Sequence, residues 1–342
     1  MTQRTVLVTG GGGFIGSHTV VALQEHGHRV IVVDDHSTSS PLALGRIAVV
    51  SGVAPLRYSI DLNDHPALDR VFTAHRIDAV IHFAARKAVG ESTRIPLEYF
   101  HVNLGGTTTL LRTMNAHGVT RLVFSSSCSI YGDGAPDGAA LDESAPPDPT
   151  NPYAWSKYAG EQMIDQYCGL SPDFRAISLR YFNPVGAHPS GLLGEDPLGE
   201  PRNLMPYLMQ VAAGRRPELT VYGQDYPTAD GTAVRDYLHV CDVADGHLAA
   251  LDRLGDAPGH RIVNLGTGVG TSVLALRGAA ARITGHPIPY RVRPRRPGDV
   301  AALVADAGRA HRELGWRPRR DLADMCRDAW KFTRMNPHGY VR

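Results

Sequence analysis

Thr9-Gly10-Gly11-Gly12-Gly13-Phe14-Ile15-Gly16 is the stretch on which the fold turns. The β-branched run Thr5–Thr9 precedes it, and Ile15–His26 follows with apolar residues at helical spacing. A strand, a glycine-rich turn and a helix in that order make a phosphate cradle. The glycines let the backbone approach a pyrophosphate, which then sits on the unpaired N–H groups at the helix start. Asp34 closes the next β-like run 18 positions after Gly16, near the ~20-residue offset at which a carboxylate meets the adenosine ribose hydroxyls. An acid there repels a 2′-phosphate and favours NAD over NADP; the plainer reading is an exposed aspartate at a strand end. No lysine follows a glycine, which excludes a G-K-[ST] nucleotide loop, and no serine sits in G-x-S-x-G.

Outward from that turn, β-like runs at Thr5–Thr9, Arg29–Asp34, Ala79–Phe83, Arg121–Ser125 and Ala176–Tyr181 alternate with helical-period stretches at Ile15–His26, Ala67–Ala74, Leu97–His117 and Tyr153–Tyr167. This is the pattern of βαβ units. Gly132–Pro152 is rich in Pro, Asp and Gly and reads as a surface loop, with Thr150 or Asn151 as helix cap and Pro152 in the first turn. Beyond Asn183, Pro and Gly cluster, and a less regular lobe is expected. Two later runs, Asp236–Val240 and Arg261–Leu265, are placed to return to the main sheet. The expected fold is α/β, a Rossmann-like doubly wound parallel sheet with a smaller, interleaved mixed α/β substrate-binding lobe. Residues 1–183 plus 236–267 form the first part and 184–235 plus 268–342 the second.

A chain of 342 residues is long enough for two domains at about 150 residues each. Its 35 Lys+Arg balance 34 Asp+Glu, so no basic field draws it to nucleic acid or anionic lipid. Within that balance only three cations are lysines: Lys87, Lys157 and Lys331. The run Arg291-Val292-Arg293-Pro294-Arg295-Arg296 admits a nucleic-acid reading, but it has no interleaved aromatic and reads better as a solvated face with one inward arginine. Cys128, Cys168, Cys241 and Cys326 are far apart without C-x-x-C and are expected as reduced core thiols. The 16 histidines form no H-E-x-x-H; no metal is expected, and His26, His28 and His36 are expected to face solvent. With no signal-peptide pattern and no apolar run approaching ~18 residues, a cytoplasmic protein is expected.

Tyr153 and Lys157 stand i, i+4 on one helix face. A phenol titrates near pH 10, and nearby cations, here Lys157 and an oxidised nicotinamide ring, stabilise its phenolate. Ser125-Ser126-Ser127-Cys128-Ser129-Ile130-Tyr131-Gly132 follows a strand whose carboxyl end faces the ligand crevice in a doubly wound sheet. Ser125 and Ser126 read as turn formers, and Ser127 as the catalytic hydroxyl.

With these residues in view, the chain resembles the extended short-chain dehydrogenase/reductase superfamily and, within it, the UDP-glucose 4-epimerase (UDP-galactose 4-epimerase) family. The resemblance covers almost the whole chain, including Ile81–Ser92, Ser125–Gly132, Arg180–Gly191, Asn203–Tyr207, Asp225–Val240 and Pro337–Tyr340. It implies interconversion of UDP-glucose and UDP-galactose with tightly bound NAD. Tyr153 would take the 4-hydroxyl proton, Ser127 would relay it, and Lys157 would hold the nicotinamide ribose and keep Tyr153 acidic. The 4-keto sugar would then rotate and be reduced on its other face.

The implied cofactor contacts are Gly10, Gly13, Phe14, Ile15 and Gly16 at the pyrophosphate, and Asp34, Asp35, His36, Ser37, Thr38 and Ser39 around the ribose. Asp61 and Leu62 would lie beside the adenine, with Phe83, Ala84, Ala85, Lys87 and Asn103 along the dinucleotide and Phe182 near the nicotinamide. Lys87, Ser127, Tyr153, Phe182, Asn183, Asn203, Leu204, Thr220, Tyr222, Arg235, Arg296, Asp299 and Leu303 are implied for the UDP-sugar. Arg235 and Arg296 suit its diphosphate, and Tyr222 suits its uracil. A homodimer through helices such as Leu97–His117 and Tyr153–Tyr167 is also implied.

Two positions depart from the family pattern. Gly105 replaces an asparagine, and Leu303 stands where some members carry Tyr and others a small residue. Leucine leaves more room than a phenol, so some tolerance of UDP-N-acetyl sugars is expected. A nucleotide-sugar 4,6-dehydratase would carry Asp-Glu where this chain has Cys128 and Ser129, and so lacks its proton carriers here. The first half of the chain also admits a UDP-uronate or UDP-pentose 4-epimerase, or a non-catalytic NAD-binding regulator. The regulator would be expected to lack Tyr153 and Lys157, and both are present.

Overall fold

The computed structural model describes residues 3–135, 138–296 and 299–340. The chain builds β1 (Thr5–Thr9), α1 (Phe14–Glu25), β2 (Arg29–Val33), α2 (Leu42–Ser51), β3 (Leu56–Tyr58), α3 (His65–Ala74), β4 (Ala79–His82), the short α4 (Val89–Ser92) and α5 (Pro96–Phe100), α6 (Gly106–Ala116), β5 (Arg121–Ser125), α7 (Pro152–Leu170), β6 (Arg175–Tyr181) and β7 (Asn183–Val185). There follow α8 (Leu204–Ala212), β8 (Leu219–Tyr222), β9 (Val234–His239), α9 (Val240–Arg253), β10 (Gly259–Leu265), β11 (Gly270–Ser272), α10 (Val273–Thr284), β12 (Tyr290–Arg293), β13 (Ala302–Leu303) and α11 (Leu322–Met335).

Seven strands form one sheet in the order β10-β6-β5-β4-β1-β2-β3. From β3 to β6 each neighbouring pair is parallel. The order reverses between β1 and β4, and in an open α/β sheet ligands bind at the carboxyl ends of the strands beside such a reversal. The strands read as continuous apolar runs because both sheet faces are covered. Leu7, Val80, Leu122 and Ala176 pack with Leu68 and Val71 of α3, Leu110 and Met114 of α6 and Ile164 of α7 in one buried cluster.

The chain divides into two compact units. The first comprises Met1–Ile130, Pro149–Arg180 and Ala244–Val263; the second comprises Tyr131–Asp148, Tyr181–Val243 and Asn264–Arg342. This division differs from the expected boundaries at 131–148, 181–183, 236–243 and 264–267, all of which belong to the second unit. The expected strand at Asp236–Val240 does not join the main sheet. As β9 it pairs with β7, β11 and β13 in a four-stranded sheet, while the other expected late strand, within β10, does take the main sheet's edge. The core of the second unit gathers Leu208 and Met209 of α8, Leu219 and Val221 of β8, Leu276 of α10 and Met325 of α11. There β12 pairs in parallel with β8.

The expected single helix over Leu97–His117 is broken. A π-helical turn at His101–Gly105 separates α5 from α6. Gly105 belongs to that turn, and a Cβ on it would lie 2.6 Å from the Asn63 side-chain oxygen. The family's asparagine would not fit there unless Asn63 moved. The four cysteines are buried and unbridged. Among the described residues, no helix is long and apolar enough to cross a membrane.

Candidate functional site

The glycine turn is built as a cradle. Gly10 has φ +69°, and a Cβ on it would stand 2.7 Å from the backbone nitrogen of Ala84, two residues beyond β4. A Cβ on Gly16 would stand 2.2 Å from the Gly10 carbonyl oxygen. Neither position has room for a side chain, because strand, turn and helix meet in van der Waals contact. Gly13 is the N-cap of α1 and no side chain caps that helix, which leaves the first-turn N–H groups of Phe14 and Ile15 suited to an anion.

Asp34 is buried at 7% exposure. One carboxylate oxygen accepts from the Gly12 N–H at 2.8 Å; the other accepts from the His36 N–H at 2.9 Å and the Ser39 hydroxyl at 2.9 Å. A buried, organised acid replaces the plainer reading of an exposed strand-end aspartate. His36 adopts φ +59°, the only positive φ outside glycine among the described residues. Its ring lies 3.0 Å from the Ser39 hydroxyl. Asp35 turns outward and accepts from the Ser37 N–H and hydroxyl; Thr38 and Asp61 are exposed, while Leu62 is buried in the core. The cradle, the uncapped helix and the carboxylate fit an adenine dinucleotide without a 2′-phosphate.

Phe83 packs against His247 with ring centroids 4.5 Å apart and planes tilted by 45°; Ala84 and Ala85 are half-buried and Lys87 is exposed. Asn103 is committed inside the protein rather than turned outward. Its amide accepts from the Arg86 N–H at 2.8 Å and donates to the Arg86 carbonyl at 3.0 Å and the Ser156 hydroxyl at 2.8 Å. Asn103 thus fixes the segment after β4 to α7.

Asn151 caps α7 by accepting from the Ala154 N–H at 3.0 Å, with Pro152 in the first turn. The helix therefore starts just before Tyr153 and aims it. A Cβ on Gly160 would lie 2.9 Å from the Phe124 ring, so this glycine lets α7 lie directly on β5. Ser127, Tyr153 and Lys157 are all buried in the first unit. Ser127 hydrogen-bonds Tyr153, and the Ser129 hydroxyl donates to Ser127 Oγ at 2.9 Å. Lys157 Nζ donates to the Ser125 carbonyl at 2.7 Å and stands 5.0 Å from the Phe124 ring centroid.

Electrostatics correct one expectation. Burial pushes the Tyr153 phenol up to about 12, with the Ser127 hydrogen bond opposing. The Lys157 ammonium is itself desolvated, and burial lowers its pKa to about 7 against the charge of Glu161. The protein's own groups hold Tyr153 as a neutral phenol.

Two further expectations are corrected here. Ser126 is not a turn former: it is fully buried and donates to Glu161 at 2.6 Å. His28 does not face solvent; it is buried, and its Nδ1 accepts from the Arg4 N–H at 3.2 Å. His26 is exposed and His36 half-buried. Glu161 and Arg180 were not found from the sequence. Glu161 follows Lys157 at the same four-residue interval that links Lys157 to Tyr153, and extending that interval one turn finds it.

In the second unit, Arg235 on β9 faces Leu303 of β13 in register, and its guanidinium donates to the Val234 and Val300 carbonyls at 2.8 Å each. Leu303 is buried. Arg296 lies 4.5 Å over the Tyr222 ring and donates to Asp299 at 2.9 Å, which brings those three residues together. Thr220 is half-buried on β8, two residues from Tyr222. Phe182 is buried with its ring 6.4 Å from that of Tyr131. Asn183 keeps a buried side-chain oxygen without a hydrogen-bond partner, a feature that calls for a ligand or water donor. Asn203 precedes α8 without capping it and donates to Glu195 at 2.5 Å, while Leu204 is half-buried in the first turn. Among the described residues, no cluster of three or more His, Cys, Asp or Glu is placed to hold a metal ion.

The sequence pattern of the NAD dependent epimerase/dehydratase family matches residues 6–266. The chain is 48% identical over 335 residues to a UDP-glucose 4-epimerase of Bacillus subtilis, covering 98% of both chains. Its structure is similar to that of a Stenotrophomonas maltophila UDP-glucose-4-epimerase with bound NAD and formylated UDP-arabinopyranose, at TM-score 0.95 and 49% identity over 98% of this chain and 99% of that one. A Bifidobacterium longum UDP-glucose 4-epimerase in complex with NAD+ and UDP matches at TM-score 0.94 and 48% identity, again over 98% and 99%. On these matches and the dinucleotide cradle, the chain belongs to the NAD dependent epimerase/dehydratase family, among its UDP-glucose 4-epimerases.

Proposed function

We propose that this chain interconverts UDP-glucose and UDP-galactose by NAD-dependent oxidation at C4 to a bound 4-keto sugar, rotation of that sugar and re-reduction. The observation that carries the reading is the buried group Ser127, Tyr153 and Lys157, set at the end of β5 and the start of α7 in the unit that holds the dinucleotide cradle. When bound, NAD supplies the hydride acceptor and donor and, in its oxidised form, a positive charge. Tyr153 accepts the proton of the sugar 4-hydroxyl and returns it. Ser127, hydrogen-bonded to Tyr153, shares that proton path. The positive charge of the oxidised cofactor would favour the phenolate form of Tyr153 that takes this proton, and Lys157 would hold the nicotinamide ribose. Phe14 and Ile15 offer backbone N–H groups to the pyrophosphate, and Asp34 takes the adenosine ribose.

For the UDP-sugar, Arg235 and Arg296 offer guanidinium donors to the diphosphate, Tyr222 a ring for the uracil and Asn183 its unpartnered oxygen for a sugar or base donor. Leu303 leaves space beside the sugar 2-substituent, and we infer some turnover of UDP-N-acetylglucosamine. We also infer a homodimer, built on the largely apolar recess that Leu111, Met163 and Tyr167 line between α6 and α7, and a cytoplasmic location.

The test is a UDP-sugar panel with chromatographic separation of products, run on purified protein without added NAD. Wild type converts UDP-glucose and UDP-galactose into one another and gives some product from UDP-N-acetylglucosamine. Tyr153→Phe loses at least about a hundredfold in turnover while retaining its NAD. Unchanged turnover in that variant overturns the role given to Tyr153, and no product from the acetylated sugar overturns the reading of Leu303.

A further inference from the structure

The most deeply buried charges of the first unit lie just outside the group assigned to catalysis. Glu161 on α7 is 0% exposed and Arg180 on β6 is 2% exposed. Arg180 donates Nε and Nη2 to the two carboxylate oxygens of Glu161 at 2.9 and 2.6 Å, and the Ser126 hydroxyl donates to the first of them at 2.6 Å. Taking such a pair out of water costs about as much as its attraction returns, so it adds little net stability. A different role is indicated by where it sits.

Glu161 lies one helical turn beyond Lys157 on the same face of α7. Lys157 holds the carbonyl of Ser125, and Glu161 holds the hydroxyl of the next residue, Ser126. Two opposite charges on one helix thus grip two consecutive residues at the end of β5, immediately before Ser127. We propose that Glu161 is a positioning residue: held by Ser126 and Arg180 one helical turn from Lys157, its carboxylate sets a fixed negative charge beside that lysine at the strand end that leads into Ser127. The inference rests on the reading of Lys157 given above.

The titratable and charged groups around this pair are His82 on β4, Tyr153 and Asp165 on α7, Arg180 on β6 and His260 on β10. His82 is driven to its neutral form by burial and by Lys157, and burial also lowers the pKa of His260, so neither adds a cation at neutral pH. Glu161 is the group whose charge raises the Lys157 pKa against the burial that lowers it to about 7. Removing the charge of Glu161 therefore favours the neutral amine of Lys157.

Three lysines in the whole chain make the test direct. Lysine labelled with 13C at the ε carbon gives three NMR resonances, and the one absent from Lys157→Arg is that of Lys157. In full-length Glu161→Gln, which keeps the shape and can still bond Ser126, the titration midpoint of this resonance falls by about one pH unit. The alkaline limb of the pH–kcat profile moves down with it, KM changes less than kcat, and kcat at pH 8 falls about tenfold. Ser126→Ala retains the carboxylate and leaves the midpoint within about 0.3 of wild type.

A residue that merely packs the two strands against α7 would lower Tm on substitution and leave the midpoint where it was, and that result overturns the proposal. If Glu161→Gln yields no folded protein, Glu161→Asp carries the test: its retracted carboxylate lowers the midpoint by a smaller amount, and an unchanged midpoint overturns it equally. The NMR titration needs no turnover. Failure of the epimerase reading and failure of this one are therefore separable.

Discussion

His82 shows how one side chain reports on a site it does not enter. Its ring bridges the Thr9 hydroxyl at 2.7 Å and the Thr107 hydroxyl at 3.0 Å, tying β1 to β4 and to α6 beneath the glycine turn. Burial, assisted by Lys157, lowers its pKa to about 3. An unfolded histidine titrates near 6.5, so between those values the unfolded chain binds a proton that the folded chain refuses. The stability this group contributes is complete above about pH 6.5 and is lost as the pH falls toward 3, with a limiting slope of about 1.4 kcal/mol per pH unit. Urea titrations between pH 7 and pH 4.5 should show a shallower fall for His82→Gln than for wild type; equal slopes would contradict the assignment. Residues of this kind are hard to read from sequence. Tyr153 and Lys157 announce themselves by spacing on one helix, and Asp34 by its distance from the glycines. The environment of His82 and the partner of Ser126 depend on which strands become neighbours, and one-dimensional spacing does not contain that.

Among the elements, α7 was the most legible and carries the most chemistry. Asn151, Pro152, Tyr153 and Lys157 lie within seven consecutive positions, and each plays its local part: cap, first turn, inward phenol, inward ammonium. Asn151→Ala removes the bond to the Ala154 N–H and should cost about 1 kcal/mol in urea unfolding, largely recovered by Asn151→Asp. The same free energy for Ala and Asp would show that the cap is not the source of the loss. Less legible was Leu97–His117, where the apolar period continues through a π-helical turn that changes the phase of the helix without interrupting its composition. The strand at Asp236–Val240 was legible as a strand and misplaced as a sheet member. Its apolar pattern is the same in a seven-stranded and a four-stranded sheet; its pairing with β7, β11 and β13 places it in the second unit, where the buried carboxylate of Asp236 also accepts from the N–H groups of Thr267, Gly268 and Ala305.

At the scale of the molecule, the doubly wound parallel sheet was the best foretold feature and the division of the chain the least. A right-handed βαβ crossover admits few arrangements once a glycine turn marks β1, whereas residues 131–148 are assigned to a unit by contacts made far along the chain, such as that of the Leu141 N–H with the Val304 carbonyl. The inferred homodimer belongs to this scale too. Light scattering should give twice the chain mass, and Met163→Arg, which sets a charge in the recess between α6 and α7, should give a monomer with the fold retained. A wild-type monomer would end that reading.

The sheet order has one more consequence, and it concerns synthesis. Strands β1 to β6 leave the ribosome in sequence and complete six positions of the sheet by Tyr181, but the strand that covers the edge of β6 is β10, at Gly259–Leu265. Through the translation of the intervening residues, a growing chain that has already built its nucleotide cradle presents an unpaired row of backbone donors and acceptors along β6. An open edge of that kind is a template for pairing with other chains. A chain that ends between its sixth strand and its tenth is therefore expected to aggregate more readily than the full chain.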